Sequence, residues 1–255
     1  YIPIEVHWSE VPGRDEKWKE ETIRNTSIEQ FQSEFECEFL GSIDTLIAPS
    51  KIKATPYLNP LESKGGFDMY KQPVKNHEYV ITVDVARGTV KDYSAFVIID
   101  VSEKIYEVVA KYRNNEIKPF IFPNVVERIA KAYNHAHTLI EVNDIGQQVS
   151  DTMQYELEYD NLLMTTQRGR AGQVLGANFS GRGSQLGIRM TKQIKKIGCS
   201  NIKTLIEADK IMINDFHIIE EMSTFSKRGT SWMAEEGCND DLMMCLIIFG
   251  WLSTQ

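Results

Sequence analysis

The chain is 255 residues long, with 42% hydrophobic and 25% charged residues and a formal net charge of −8 at pH 7. Such a composition suits one large globular core, or one core plus an appended segment, and excludes a disordered or collagen-like chain. The acidic balance argues against a protein that coats nucleic acid over its whole surface, and no apolar run reaches the roughly 18–20 residues that span a bilayer.

The sequence opens "YIPIEVHW" without a Met, as though cut from a longer chain. Residues 1–47 are acidic and aromatic-rich, with Ile28, Phe31, Phe35 and Phe39 recurring at helical spacing. Residues 48–77, rich in Pro, Lys, Gly and Ser, read as a linker or extended wrap. From residue 78 to 255 the pattern is regular. Runs at 79–85, 93–101 and 105–113 predict three consecutive antiparallel strands. "PNVVERIAKAYNHA" predicts an amphipathic helix with Pro123 near its start. "HTLIEVND" reads as a short strand ending in carboxylates, "GQQVSDTMQYELEY" as a helix and "NLLMTT" as another strand. A basic, glycine-rich loop at 168–187 leads into a helix over roughly 187–207. "KIMIND" is then a short strand, "FHIIEEMSTF" a helix or turn, and "DDLMMCLIIFGWLS" the closing helix. Hairpin-linked strands followed by helix–strand repeats give an α/β fold with a central mixed sheet flanked by helices. A doubly wound nucleotide-binding fold would alternate from its first strand.

Several chemistries are disfavoured. Cys37, Cys199, Cys238 and Cys245 form no CxxC pair and have no His at zinc spacing, so they read as reduced, core-filling thiols. No G-x-x-x-x-G-K-[ST] motif occurs, and "GANFSGRG" has no strand feeding it. His135 and His137 read as loop or strand-entry residues. Between Arg168 and Lys203 lie eight basic residues (Arg168, Arg170, Arg182, Arg189, Lys192, Lys195, Lys196 and Lys203) and no acidic one. Such a block makes either a solvated helix face or a local phosphate-binding surface.

Three acidic sites interrupt apolar elements: Asp84 inside the first strand, Glu141 near the end of "HTLIEV", and Asp240–Asp241 opening the last helix. A buried carboxylate without a partner costs several kcal/mol. Each therefore needs compensation, by a core hydrogen bond at Asp84 and Glu141 or by helix capping in "GCNDDL", with Asn239 or Asp240 as the cap. Should the strands of Asp84 and Glu141 be neighbours under the last helix, the acids converge. All-oxygen ligands of that kind select one or two Mg²⁺ or Mn²⁺ ions, which suits phosphodiester hydrolysis.

A strand Asp, a hairpin of strands, a strand-borne Glu and a late helical Asp follow the order of the ribonuclease H-like nucleases of the resolvase and integrase type. More specifically, "WSEVPGRDEKWKEETI", "FQSEFECEFLGSIDTLI" and "VDVARGTVKDYSAFVIID" resemble the large terminase subunit of tailed bacteriophages, the contractile-tailed group especially. The resemblance implies a C-terminal nuclease domain at 78–255, preceded by a segment that follows the ATPase domain and packs on the nuclease core. It implies a metal-dependent endonuclease that cuts concatemeric double-stranded DNA with little sequence preference during genome packaging. Asp84 and Glu141 match metal ligands, and Asp92 an additional acid close to the metal. The third ligand falls at Asp241 or Asp240, with Asp241 favoured. Related nucleases carry D-x-x-D-A at this point, whereas here Met244 replaces the second acid, which puts a tightly held second metal in doubt. The basic block becomes a DNA-facing surface. Implied partners are double-stranded DNA, the ATPase domain of the same protein, the procapsid portal and the small terminase subunit, in the cytoplasm of an infected bacterium. Competing readings are a DNA- or portal-gripping module with little catalysis, a resolvase or transposase of the same fold, and a sugar-kinase-like phosphotransferase.

Overall fold

The computed structural model describes residues 8–26, 28, 31, 35, 44–87, 92–168, 172–176 and 184–255. Three strands, β3 (Tyr79–Asp84), β4 (Ser94–Asp100) and β5 (Tyr106–Asn114), pair antiparallel in sequence order, as their runs of β-branched and aromatic residues joined by short loops predict. β6 (His137–Ile140) adds parallel to β3, with Val83 opposite Ile140. On the other flank a hairpin of β1 (Glu62–Lys64) and β2 (Phe67–Met69) pairs with β5. The short β10 (Ile211–Met212) runs parallel to β5, completing a seven-stranded mixed sheet with the path β1-β2-β5-β4-β3-β6.

Strand periodicity sorts the two faces of this sheet. Tyr79, Ile81, Val83, Phe96 and Ile98 point to a core completed by Phe122, Val126 and Ile129 of α3 (Phe122–Ala132). Val80, Ala95, Val97 and Ile99 point to the opposite core, closed by α5 (Lys192–Glu207) and α7 (Asp241–Leu252). By the same parity Asp84 belongs to the α7 face. Leu139 also packs with Ile194, Ile248 and Trp251 on that side, so Glu141 follows it there. α7 is apolar all round and buried along most of its length, the expected state for a helix covered by other elements. It lies close against α5: a Cβ on Gly250 would come within 2.5 Å of the Gly198 carbonyl oxygen.

Several elements differ from the sequence expectation. Residues 48–77, expected as a linker or wrap, hold helix α2 (Pro49–Ala54) and the β1–β2 hairpin. The helix expected from 187 begins at Lys192, capped by Thr191, because Gly187 and Ile188 bridge to Met164 and Glu141 and extend the sheet past β6. The helix expected through "GQQVSDTMQYELEY" is α4 (Gly146–Asp151), which widens into a π turn over Thr152–Glu156. The loop expected at 168–187 contributes β8 (Gly172–Gly176) and β9 (Ser184–Leu186), which flank β7 (Met164–Arg168) in a small second sheet. α6 (Phe216–Thr224) runs into a hairpin of β11 (Phe225–Arg228) and β12 (Ser231–Ala234). Cys199 and Cys245 are buried as expected, but Cys238 is exposed, in the turn before α7.

Toward the N-terminus, α1 (Glu16–Asn25) is capped by Asp15, and the Trp18 ring meets Trp8 and Phe31 at a tilt and Phe35 edge-on. Phe39 and Cys37 lie outside the described residues. Residues 44–47 dock on the core: Thr45 bridges to Ser226, and Leu46 and Ile47 join the α7-side cluster. Among the described residues no helix is long and apolar enough to cross a membrane.

Candidate metal-binding active site

The register of β3 and β6 fixes the first two acids. The Glu141 N–H donates to the Val83 carbonyl at 2.9 Å, which carries the strand pairing to the level of Asp84. The two carboxyl groups are joined by a hydrogen bond. Asp84 is held well above the ordinary carboxylate range by burial and then by the negative charges of Glu141, Asp241 and Asp240. Burial also raises Glu141, against the opposing pull of the Asp84 hydrogen bond and the Lys195 ammonium. Asn143 Nδ2 donates to Glu141 Oε1 at 3.0 Å and to the Met190 carbonyl at 3.1 Å, pinning one oxygen of Glu141 to the chain that leads into α5.

The third acid comes from the start of α7. Asp241 is 9% exposed, its Oδ1 accepts the Tyr93 N–H at 3.2 Å, and its Oδ2 is buried with no partner among the described residues. Burial pushes it up to about 6, with Asp240 and Asp92 adding to the rise and Tyr93 and Arg113 opposing it. The capping expected of Asp240 is absent: its side chain accepts the Ala234 N–H at 3.2 Å and makes no cap bond to its own helix. Met244, where related nucleases carry an acid, packs against the core. Asp92 is exposed, and the loop joining it to Asp84 (residues 88–91) lies outside the described residues. Arg87, the cation closest in sequence to Asp84, pairs with Asp144.

Glu221, Arg113 and Tyr93 were not singled out by sequence reasoning. Glu221 on α6 is 3% exposed and is raised to about 8 by burial. Its contact to Arg113, at 3.6 Å, is too long for a hydrogen bond and does not offset that burial. Within "FHIIEEMSTF" the only signal was an acid at a position of the apolar face, four residues after His217.

Of the basic block, Lys195 is half-buried; its charge acts on Glu141, and its ammonium lies 5.5 Å from the Phe225 ring centre. Arg189, Lys192 and Lys196 are exposed in and just before α5, and Arg168 is exposed where β7 turns toward β8. Arg170 and Arg182 lie outside the described residues.

Among the described residues, the one trio of His, Cys, Asp or Glu whose ligand atoms lie mutually within 4.8 Å is elsewhere: Asp68, Asp215 and His217. There Lys111 Nζ sits 2.7 Å from Asp68 and 4.0 Å from Asp215, and Tyr70 donates to Asp215. Burial would raise Asp215, but His217, Lys111 and Tyr70 hold it below the ordinary carboxylate range. That cluster already contains its cation. Asp84, Glu141 and Asp241 are more widely spaced and offer oxygen donors, raised carboxyls and an unpartnered buried oxygen, a set that fits a hard divalent ion.

The mixed sheet, with acids on two adjacent strands and on the covering last helix, defines a ribonuclease H-like fold. The family model for the terminase RNaseH-like domain matches residues 81–255, and the chain belongs to that family. Its fold is similar to that of the large terminase nuclease from thermophilic phage G20c, solved with bound magnesium and with bound cobalt. Both match with 16% identity and a TM-score of 0.62, over 82% of this chain and 97% of that one. The Thermus phage P74-26 large terminase nuclease domain matches with 17% identity and a TM-score of 0.58, over 78% of this chain and 91% of that one.

Proposed function

We propose that this chain is the metal-dependent DNA endonuclease domain of a viral large terminase, cutting double-stranded DNA with little sequence preference during genome packaging. The observation that carries this is the convergence of Asp84, Glu141 and Asp241 on one sheet face, with carboxyls raised by burial and mutual charge. Asp84, Glu141 and Asp241 would hold one or two Mg²⁺ or Mn²⁺ ions, with Asp92 beside them and Asp240 as the alternative helix ligand. Such an ion, when bound, lowers the pKa of water and neutralises charge on the phosphate. Magnesium in the G20c nuclease of similar fold supports this choice.

The chain's own residues supply position and charge. β3 and β6 hold Asp84 and Glu141 on rigid backbone, which keeps their carboxylates in place more accurately than a loop would. Asn143 fixes the rotation of Glu141. Lys195, half-buried on α5 and acting on Glu141, would offset negative charge as a phosphate arrives. Arg189, Lys192, Lys196 and Arg168 would contact phosphates on either side, with Arg170 and Arg182 in the same basic block. Phosphate contacts position a duplex without reading its sequence. The domain would act with an ATPase domain of the same protein, the portal and the small subunit, in the host cytoplasm at the procapsid.

The test is cleavage of supercoiled and linear duplex DNA with Mg²⁺ or Mn²⁺, with and without chelator. Metal-dependent cutting of both substrates is expected, and a chelator should abolish it. Cutting confined to branched DNA would favour a resolvase, and DNA binding without cutting a gripping module.

A further inference from the structure

We propose that Glu221 and Arg113 are positioning residues for Asp241, Glu221 by capping the helix that carries it and Arg113 by packing on the ring of Tyr93, the residue whose backbone N–H donates to it. This rests on the reading of Asp241 as a metal ligand.

The first turn of α7 needs acceptors for N–H groups that have no partner within the helix. Its own N-cap side chain, Asp240, is engaged with Ala234. The acceptor comes from another helix instead: Glu221 Oε2 takes the Met243 N–H at 2.9 Å, although it lies 22 residues earlier in the chain. A single cap returns less stability than burying a carboxylate costs, so stability alone does not account for an acid here. Its placement does fix the origin of α7, and with it the direction of Asp241.

The second arm runs through Arg113. Its guanidinium lies 4.0 Å from the centre of the Tyr93 ring and 3.6 Å from Glu221. The Tyr93 N–H holds Asp241 Oδ1, which leaves Oδ2 as the oxygen without a partner. One carboxylate oxygen is thus held by the Tyr93 N–H, the start of its helix is held by Glu221, and the other oxygen is kept available. Outer partners of this kind commonly set metal affinity. A cavity of about 230 Å³ lies behind them, lined in part by Arg113, Glu221 and Asn239, so truncating either residue leaves space into which the helix start can relax.

The experiment is calorimetric titration of the metal-stripped 255-residue chain with MnCl₂, without DNA, with circular dichroism checking the fold of each variant. Glu221→Ala and Arg113→Met should each weaken Mn²⁺ binding by about 10- to 100-fold. Glu221→Gln, which keeps an oxygen for the Met243 N–H, should bind close to wild type. In an Asp241→Asn background the Glu221→Ala and Arg113→Met losses should disappear, because both residues act through Asp241. Equal losses in that background, or none in the single variants, would overturn the proposal. If Glu221→Ala fails to fold, Arg113→Met makes the same comparison. Asp84→Asn separates the two levels: unchanged Mn²⁺ affinity there overturns the metal-site reading itself. Lost affinity in Asp84→Asn with none lost in Glu221→Ala and Arg113→Met overturns only the positioning role.

Discussion

At Asp68 and Asp215 the protein packs two carboxylates around the Lys111 ammonium; at Asp84 and Glu141 it places two carboxylates against each other, with Lys195 offsetting only part of their charge. Asp68 faces Lys111 directly across the β2–β5 pairing, and Asp215 caps α6 through the Ile218 N–H at 2.7 Å. The first cluster is therefore complete in itself, and its Asp215 titrates below the ordinary range. The second is incomplete, and its acids titrate above it. Ligand spacing alone would select the first as a metal site. The sign of the electrostatic imbalance selects the second, because a group of acids left uncompensated is the one that gains from an added cation.

Substituting one acid in each cluster breaks the comparison most sharply. Asp84→Asn is expected to lower DNA cutting by at least about 10³-fold, since a lost metal ligand forfeits several kcal/mol of transition-state stabilisation. Its fold should survive, because the change removes repulsion. Cleavage retained at the wild-type rate would sink the assignment. Lys111→Met should do the reverse. It leaves Asp68 and Asp215 buried without their cation and costs about 3–5 kcal/mol of stability, read by urea unfolding. Cutting per folded molecule should be unchanged, and a loss of metal affinity there would move the metal site to the wrong cluster.

The two clusters also differ in pH response. Glu221 rises from an ordinary 4.5 to about 8, and Asp241 from 3.8 to about 6. Between those values the folded chain binds more protons than the unfolded one, so metal-free stability falls as pH rises and the loss is complete above about pH 8. Asp215 acts oppositely: its lowered carboxyl adds stability above its unfolded pKa, which is lost on acidification through the folded one. Chemical denaturation from pH 5 to 8.5 should show the decline, Glu221→Gln should remove much of it, and Mn²⁺ should flatten it. A metal-free stability that rises over this window would contradict the imbalance.

Parity made much of this legible. Alternation in "YVITVD" and "HTLIEV" puts Asp84 and Glu141 on sheet faces without any knowledge of contacts, and the apolar last helix has only one kind of place to go. That the two strands are neighbours was not in the pattern: the parallel pairing of β3 with β6 is a property of the fold. The supporting residues could not be read the same way. Glu221 and Met243, or Asp68 and Asp215, meet only once the chain has folded, and nothing local marks them as partners. The β1–β2 hairpin was a different omission. Gly65 and Gly66, both at positive φ, are a two-residue turn signal, but the burial of neither strand alternates strongly enough to stand out. At 187–188 the chain bridges to Met164 and Glu141 instead of starting the helix, tertiary contacts that no local pattern contains.

The smallest expected effect concerns the cations around the two clusters. Arg189 and Lys192 are exposed just before and at the start of α5, whereas Lys71, just beyond β2, is engaged by Glu107 at 2.5 Å. On a chain of net charge −8, duplex binding has to come from a local surface, and only cations free of acidic partners release counterions from DNA. Arg189→Ala and Lys192→Ala should each reduce the slope of log affinity against log salt by up to about 0.9, with affinity falling similarly for unrelated sequences. Lys71→Ala should leave the slope unchanged. Anisotropy titrations on two duplexes of different sequence, across a salt series, make the measurement. A slope reduced equally by Lys71→Ala would mean that DNA does not distinguish the neighbourhood of the incomplete cluster from that of the compensated one.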